Sequence, residues 1–153
     1  MRTTRQRLAI ALAVPVLLAG ACGGDDDSTP AASEPEAAAD VISAGGIRVI
    51  SPAEAAAIAD APPADLVVLD VRTIEEFQEG HLEDATMIDF YRDDFRAQLE
   101  TLDKDAPYLL YCRSGNRSGQ TRALMEELGF TDVADVDGGI LAWVNAGLPV
   151  TAP

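Results

Sequence analysis

The stretch "DLVVLDV", residues 65–71, places leucine or valine at five of seven positions, with no alternation between apolar and polar side chains. A strand with one wet face alternates; this one leaves no face for water, so it reads as a strand covered on both sides. Sheets covered on both sides are built from parallel strands joined by crossover helices. The flanking sequence supplies that alternation. "IRVI" (47–50) reads as a first strand. Ser51 then caps a helix through "PAEAAAIAD", with Pro52 at its first position and Glu54 three residues past the cap. "TIEEFQEG" reads as a short helix ended by Gly80, "ATMIDF" as a third strand and "RDDFRAQLETL" as the next helix. "PYLLYC" is a fourth strand, "GQTRALMEELGF" a helix and "DVADV" a fifth, edge-like strand. "GGILAWVNAGLPV" closes the domain with a helix ended by Gly147. The expected fold is α/β: a five-stranded, mostly parallel sheet with helices on both faces. Ligands bind such sheets at the carboxyl ends of the strands.

The domain does not begin at residue 1. In "MRTTRQRLAIALAVPVLLAGACGG", Arg2, Arg5 and Arg7 precede an apolar run from Leu8 to Ala21. That run falls short of the roughly 20 residues a spanning helix needs, and its pattern is that of a secretory signal. "LLAGAC" resembles the lipobox of bacterial lipoproteins, although Ala19 stands where a larger aliphatic residue is usual. The resemblance implies a lipid on Cys22 and an exported chain anchored on the extracytoplasmic side of the cell membrane. Residues 1–21 are thus expected to be a signal peptide. Residues 22–45, rich in acids, Ala, Pro, Ser and Gly, read as a flexible tether, and 46–150 as one domain. The chain has 11 basic and 26 acidic residues. Removing residues 1–21 deletes three arginines and no acids, leaving 8 − 26, a net charge of −18. Such a surface repels phosphate backbones and excludes nucleic acid as an expected partner.

Chemistry concentrates after the fourth strand. Cys112 ends the apolar run, and "RSGNRS" (Arg113, Ser114, Gly115, Asn116, Arg117, Ser118) turns the chain into the next helix. Gly115 and Asn116 tolerate the left-handed backbone of a tight turn. A loop of this kind curls its N–H groups inward as an anion-binding nest, and the helix N-terminus adds positive potential. Sulfur at the floor of that nest is stabilised as thiolate, a nucleophile at neutral pH. Arg113 and Arg117 bring two permanent charges for an oxyanion. A cysteine at a strand end is often only a small buried hydrophobe. Two arginines, two serines and a glycine directly after it are more than a structural turn requires. An unpaired thiol in an exported protein also invites oxidation, so its presence points to use.

"CRSGNRS" resembles the active-site loop of rhodanese-like sulfurtransferases. "LDVRTIEEFQEGHLEDATMID" is similar to that family's first signature, and "DVDGGILAWVNAGLPV" to its C-terminal signature of paired glycines, a tryptophan and Gly-Leu-Pro. One departure is Glu83-Asp84-Ala85, where Pro-Gly-Ala is usual. The resemblance covers the whole domain and implies a rhodanese-like parallel five-stranded sheet. It also implies transfer of sulfane sulfur from thiosulfate or a similar small donor to a thiol or cyanide, through a persulfide on Cys112. Backbone N–H groups of Arg113 to Ser118 would hold the persulfide charge. Arg113 would receive the sulfonate end of thiosulfate, and Arg117 would either do likewise or brace the loop. Asp70 and Arg72, on the catalytic edge, are expected to support the site by pairing with each other or with the loop backbone. His81, in the Gly-His pair, is expected to be packed and hydrogen-bonded, and Trp143 to lie in the core. One histidine and one domain cysteine build no metal site, and no cofactor is expected.

Two other functions are compatible with a cysteine in an anion loop. A phosphatase or arsenate reductase spaces cysteine and arginine by five residues, whereas four separate Cys112 from Arg117. Six residues wrap a sulfur atom; seven enclose a tetrahedral phosphate. A non-catalytic or persulfide-carrier module at the cell envelope, serving an unidentified protein acceptor, would show the same residues.

Overall fold

The computed structural model describes residues 45–152. The expected signal peptide, Cys22 and all but the last residue of the expected tether lie outside the described residues. Element order is β1 (Ile47–Ile50), α1 (Pro52–Asp60), β2 (Val67–Asp70), α2 (Ile74–Gln78), β3 (Thr86–Met87), α3 (Phe95–Glu100), β4 (Pro107–Tyr111), α4 (Asn116–Leu128), β5 (Asp132–Val136) and α5 (Gly139–Asn145). The five strands form one sheet in the order β1-β5-β4-β2-β3, and every ladder is parallel. β4 and β2 occupy the middle, which explains why their sequences carry no polar alternation.

Two apolar layers sandwich the sheet. On one face Leu69, Val71, Tyr108, Leu110, Cys112 and Val133 meet Phe95 and Leu99 of α3 and Met125 of α4. On the other, Val68, Leu109, Tyr111, Ala134 and Val136 meet Ala55 and Ile58 of α1 and Ile140 and Trp143 of α5. The odd and even positions of β4 go to opposite layers, as a pleated strand buried on both faces must do.

Helix starts follow local chemistry. Ser51 caps α1 with a reciprocal pair: its hydroxyl accepts the Glu54 N–H (3.3 Å), and the Glu54 carboxylate accepts the Ser51 N–H (2.7 Å). Thr73 and Glu76 form the same box at the start of α2.

Three expectations are corrected. "DVADV" is not an edge strand, because β5 lies between β1 and β4. Its acids are answered by cations: Asp132 pairs with Arg48 of β1 (2.7 Å) and Asp135 with Arg122 of α4 (3.3 Å). The helix after the cysteine loop begins at Asn116, three residues before "GQTRALMEELGF", because Gly115 in a left-handed conformation (φ 89°) serves as its N-cap. β3 is also shorter than "ATMIDF", holding two residues at the sheet edge.

Candidate active site

Cys112 follows the last residue of β4 and is completely buried. Only Arg113, Ser114 and Gly115 form the loop proper; Asn116, Arg117 and Ser118 are the first turn of α4. The loop therefore curls tightly, and the left-handed Gly115 turns its N–H onto the Cys112 sulfur at 3.2 Å. Burial pushes the thiol up. The Ser118 hydroxyl and the N–H groups of Ser118, Ser114 and Gly115 outweigh it and hold the thiol below its ordinary value. The arrangement favours thiolate at the floor of a backbone nest.

Two elements distant in sequence hold that nest. At the start of α5, the Ile140 N–H donates to the Cys112 carbonyl (2.9 Å) and the Leu141 N–H to the Arg113 carbonyl (3.1 Å). So close an approach requires glycine at 139: a Cβ there would run into the Cys112 carbonyl oxygen and the Arg113 carbonyl carbon. On the other side, Arg117 donates to both Glu76 carboxylate oxygens at 2.6 and 2.7 Å and lies over the Tyr91 ring, 5.6 Å from its centroid. Arg117 holds Glu76 well below the usual carboxylate range, at about 2. Glu76 also caps Thr73, so one carboxylate ties the start of α2 to the start of α4.

The two arginines of the loop differ. Arg117 is half-buried and spent on Glu76. Arg113 is exposed, makes no ion pair among the described residues, and lines an open depression of about 420 Å³ together with Arg117, Ser114, Asn116, Glu76 and Tyr91. A larger apolar hollow of about 430 Å³ lies over the opposite layer, between Leu109 and Trp143, and contains no residue of the loop.

Asp70 and Arg72 lie at the end of β2 as a buried pair. Asp70 accepts from the Arg72 backbone N–H (2.9 Å) and from its guanidinium (2.7 to 3.0 Å), and Arg72 also donates to the Gly80 carbonyl (2.7 Å). No hydrogen bond joins either side chain to the cysteine loop among the described residues; they fix the strand end and the turn at Gly80. The imidazole of His81 stacks on Phe77 at 3.8 Å, and its Nδ1–H donates to the Phe77 carbonyl (3.1 Å). Trp143 is in the core, its indole N–H on the Pro149 carbonyl (2.8 Å).

Glu76, Tyr91 and Asp135 carried no sequence signal as site residues. Glu76 sits 41 positions from Arg117; its capping-box spacing from Thr73 was the one legible clue to its place. Asp135 is almost fully buried, and burial holds its carboxyl above the ordinary value despite Ser118 and Arg122 beside it. No group of three or more His, Cys, Asp or Glu side chains able to hold a metal exists among the described residues.

Comparison with known proteins gives one family. The family profile described as "Rhodanese-like domain" matches residues 51–146. A protein of Allochromatium vinosum named "Sulfurtransferase" is 36% identical over 89 residues, 58% of this chain and 81% of its own length. A tRNA uridine(34) hydroxylase of Enterobacter is 34% identical over 106 residues, although the matched part is only 30% of that protein. Among solved structures, a rhodanese-related protein from Thermoplasma volcanium superposes with a TM-score of 0.61 at 29% identity, over 69% of this chain and 99% of its own.

Proposed function

Because the chain belongs to the rhodanese-like domain family, we propose that it is a sulfurtransferase that carries sulfane sulfur as a persulfide on Cys112. The observation that supports this most is the buried sulfur held in a nest of N–H donors, its thiol favoured as thiolate.

With thiosulfate as donor, the Cys112 thiolate attacks the outer sulfur. A new S–S bond forms to Sγ, the S–S bond of thiosulfate breaks, and its electron pair leaves with sulfite. One thiolate and one dianion become one persulfide anion and one sulfite dianion, so charge balances without a proton. The negative charge now rests on the outer sulfur, where inward N–H groups stabilise it as an oxyanion hole stabilises oxygen. A thiolate or cyanide then attacks the outer sulfur and returns Cys112 as thiolate. Arg113, unpaired and lining the open depression, suits the sulfonate end of the donor. Arg117 is committed to Glu76 and acts in this reading as a brace.

The test is release of sulfite from thiosulfate in the presence of cyanide. Wild-type protein should release it and Cys112→Ala should not. An alanine variant with full activity would falsify the assignment. A protein that takes up sulfur but passes it to neither cyanide nor small thiols would instead fit a carrier that serves a protein acceptor.

A further inference from the structure

The reading of Cys112 leaves two polar atoms beside it unexplained: the Ser118 hydroxyl oxygen and Asp135 Oδ1. Both are buried, and neither makes a well-aligned hydrogen bond. A buried polar atom without a partner is destabilising, so two of them on neighbouring elements call for a reason.

Register shows why they meet. Asp135 pairs with Leu110 across the β4–β5 ladder, so the two side chains share a face. Cys112, two positions beyond Leu110, lies on that same face, under α4. The Asp135–Arg122 contact at 3.3 Å confirms that the carboxylate points at α4, and Ser118 is one turn earlier on that helix. The Ser118 hydroxyl is the neighbour shared by the Cys112 sulfur and the Asp135 carboxyl. It has one proton and two neighbours that compete for it.

We propose that Asp135 is a positioning residue for the Cys112 sulfur, acting through the Ser118 hydroxyl. This rests on the reading of Cys112 as the reactive thiolate. As a carboxylic acid, Asp135 donates to Ser118 Oγ and leaves the hydroxyl proton to the sulfur. As a carboxylate, it draws that proton to itself, removes a donor from the sulfur and adds a like charge beside it. Thiol plus carboxylate and thiolate plus acid have the same total charge. One proton therefore passes between sulfur and carboxyl through the hydroxyl, with no other reactant. The groups facing Asp135 are Arg122 and Ser118 from α4 and Asp137 just beyond β5, while Cys112 at the end of β4 shares its sheet face. Arg122 favours the carboxylate, while burial and Asp137 favour the acid. Coupled groups of this kind titrate in two steps that belong to the pair.

The test is the rate of Cys112 alkylation by iodoacetamide from pH 5 to 10 on the full chain, read peptide by peptide so that Cys22 does not contribute. It needs no sulfur transfer, so it fails or succeeds independently of the proposed activity. Asp135→Asn, neutral and still able to donate to Ser118, should merge a broad profile into one step. Its midpoint should move down by about one pH unit, a rate about tenfold higher on the acid limb. Ser118→Ala should move the midpoint up and abolish most of the Asp135→Asn effect in the double variant. Superimposable wild-type and Asp135→Asn profiles would reduce Asp135 to an anchor for Arg122 and overturn the proposal. So would an Asp135→Asn shift that persists in full without Ser118. Should the Asn variant not fold, the Asp135 carboxyl ¹³C resonance of wild type gives the same answer. Blocking Cys112 should move its titration to lower pH, and an unmoved titration overturns the coupling.

Discussion

At the scale of single residues, the site separates holding from binding. Arg117 reads in sequence as either a second substrate arginine or a brace for the loop, and both its donor arms are on Glu76. Glu76→Gln should remove this mostly buried ion pair at a loss of about 1–2 kcal/mol at neutral pH, between the values of exposed and buried pairs. The sign with pH follows from the direction of the shift. The Glu76 carboxyl falls from an ordinary 4.5 to about 2 in the fold, so its contribution is complete above pH 4.5 and fades as pH falls toward 2. Urea unfolding at steps across that window should show wild type losing stability toward acid faster than Glu76→Gln. Parallel slopes would mean that the pair contributes nothing. Asp135 has the opposite sign: its raised value makes the folded state the tighter proton binder, so its contribution weakens as pH rises above an ordinary 3.8.

At the scale of elements, β4 brings the sulfur to the carboxyl end of the sheet, and the first turns of α4 and α5 close around it. The role of the paired glycines follows from space. Gly138 and Gly139 both have positive φ, and Gly139 lies against the Cys112–Arg113 backbone. Gly139→Ala should lower stability by about 2 kcal/mol or more, from left-handed strain plus displacement of the loop carbonyls, and should abolish sulfur transfer. Gly147 is the control: its φ is +76°, but no atom lies within 4 Å of an added Cβ. Gly147→Ala should show only the strain, about 1 kcal/mol, with activity kept. Thermal unfolding alongside the sulfite assay distinguishes the two, and equal activity in both variants would contradict the clamp. The elements themselves were readable where local chemistry dictates them. Ser51 and Glu54 announce α1, and the apolar runs announce β2 and β4. Strand order was not readable, because a parallel sheet sets it through crossovers rather than neighbouring residues. "DVADV" reads as an edge-like strand, but it is internal, and its two acids find partners, Arg48 and Arg122, on other elements.

At the scale of the whole molecule, charge sharpens what the loop must do. The chain carries a net charge of −15, and the proposed donor is a dianion. The general surface field repels it, so attraction has to come from the local nest and from Arg113. The cysteine loop was legible because its residues are contiguous, from Cys112 to Ser118. Its supports were not, because Glu76, Tyr91, Asp135 and Gly139 reach it only through the fold. The central claim is that Cys112 carries sulfur, and intact mass spectrometry tests it most directly. After incubation with excess thiosulfate and desalting, the protein should gain the mass of one sulfur atom. That gain should vanish on adding cyanide and be absent in Cys112→Ala. An unchanged mass, with Cys112 still open to alkylation, would contradict persulfide formation from thiosulfate.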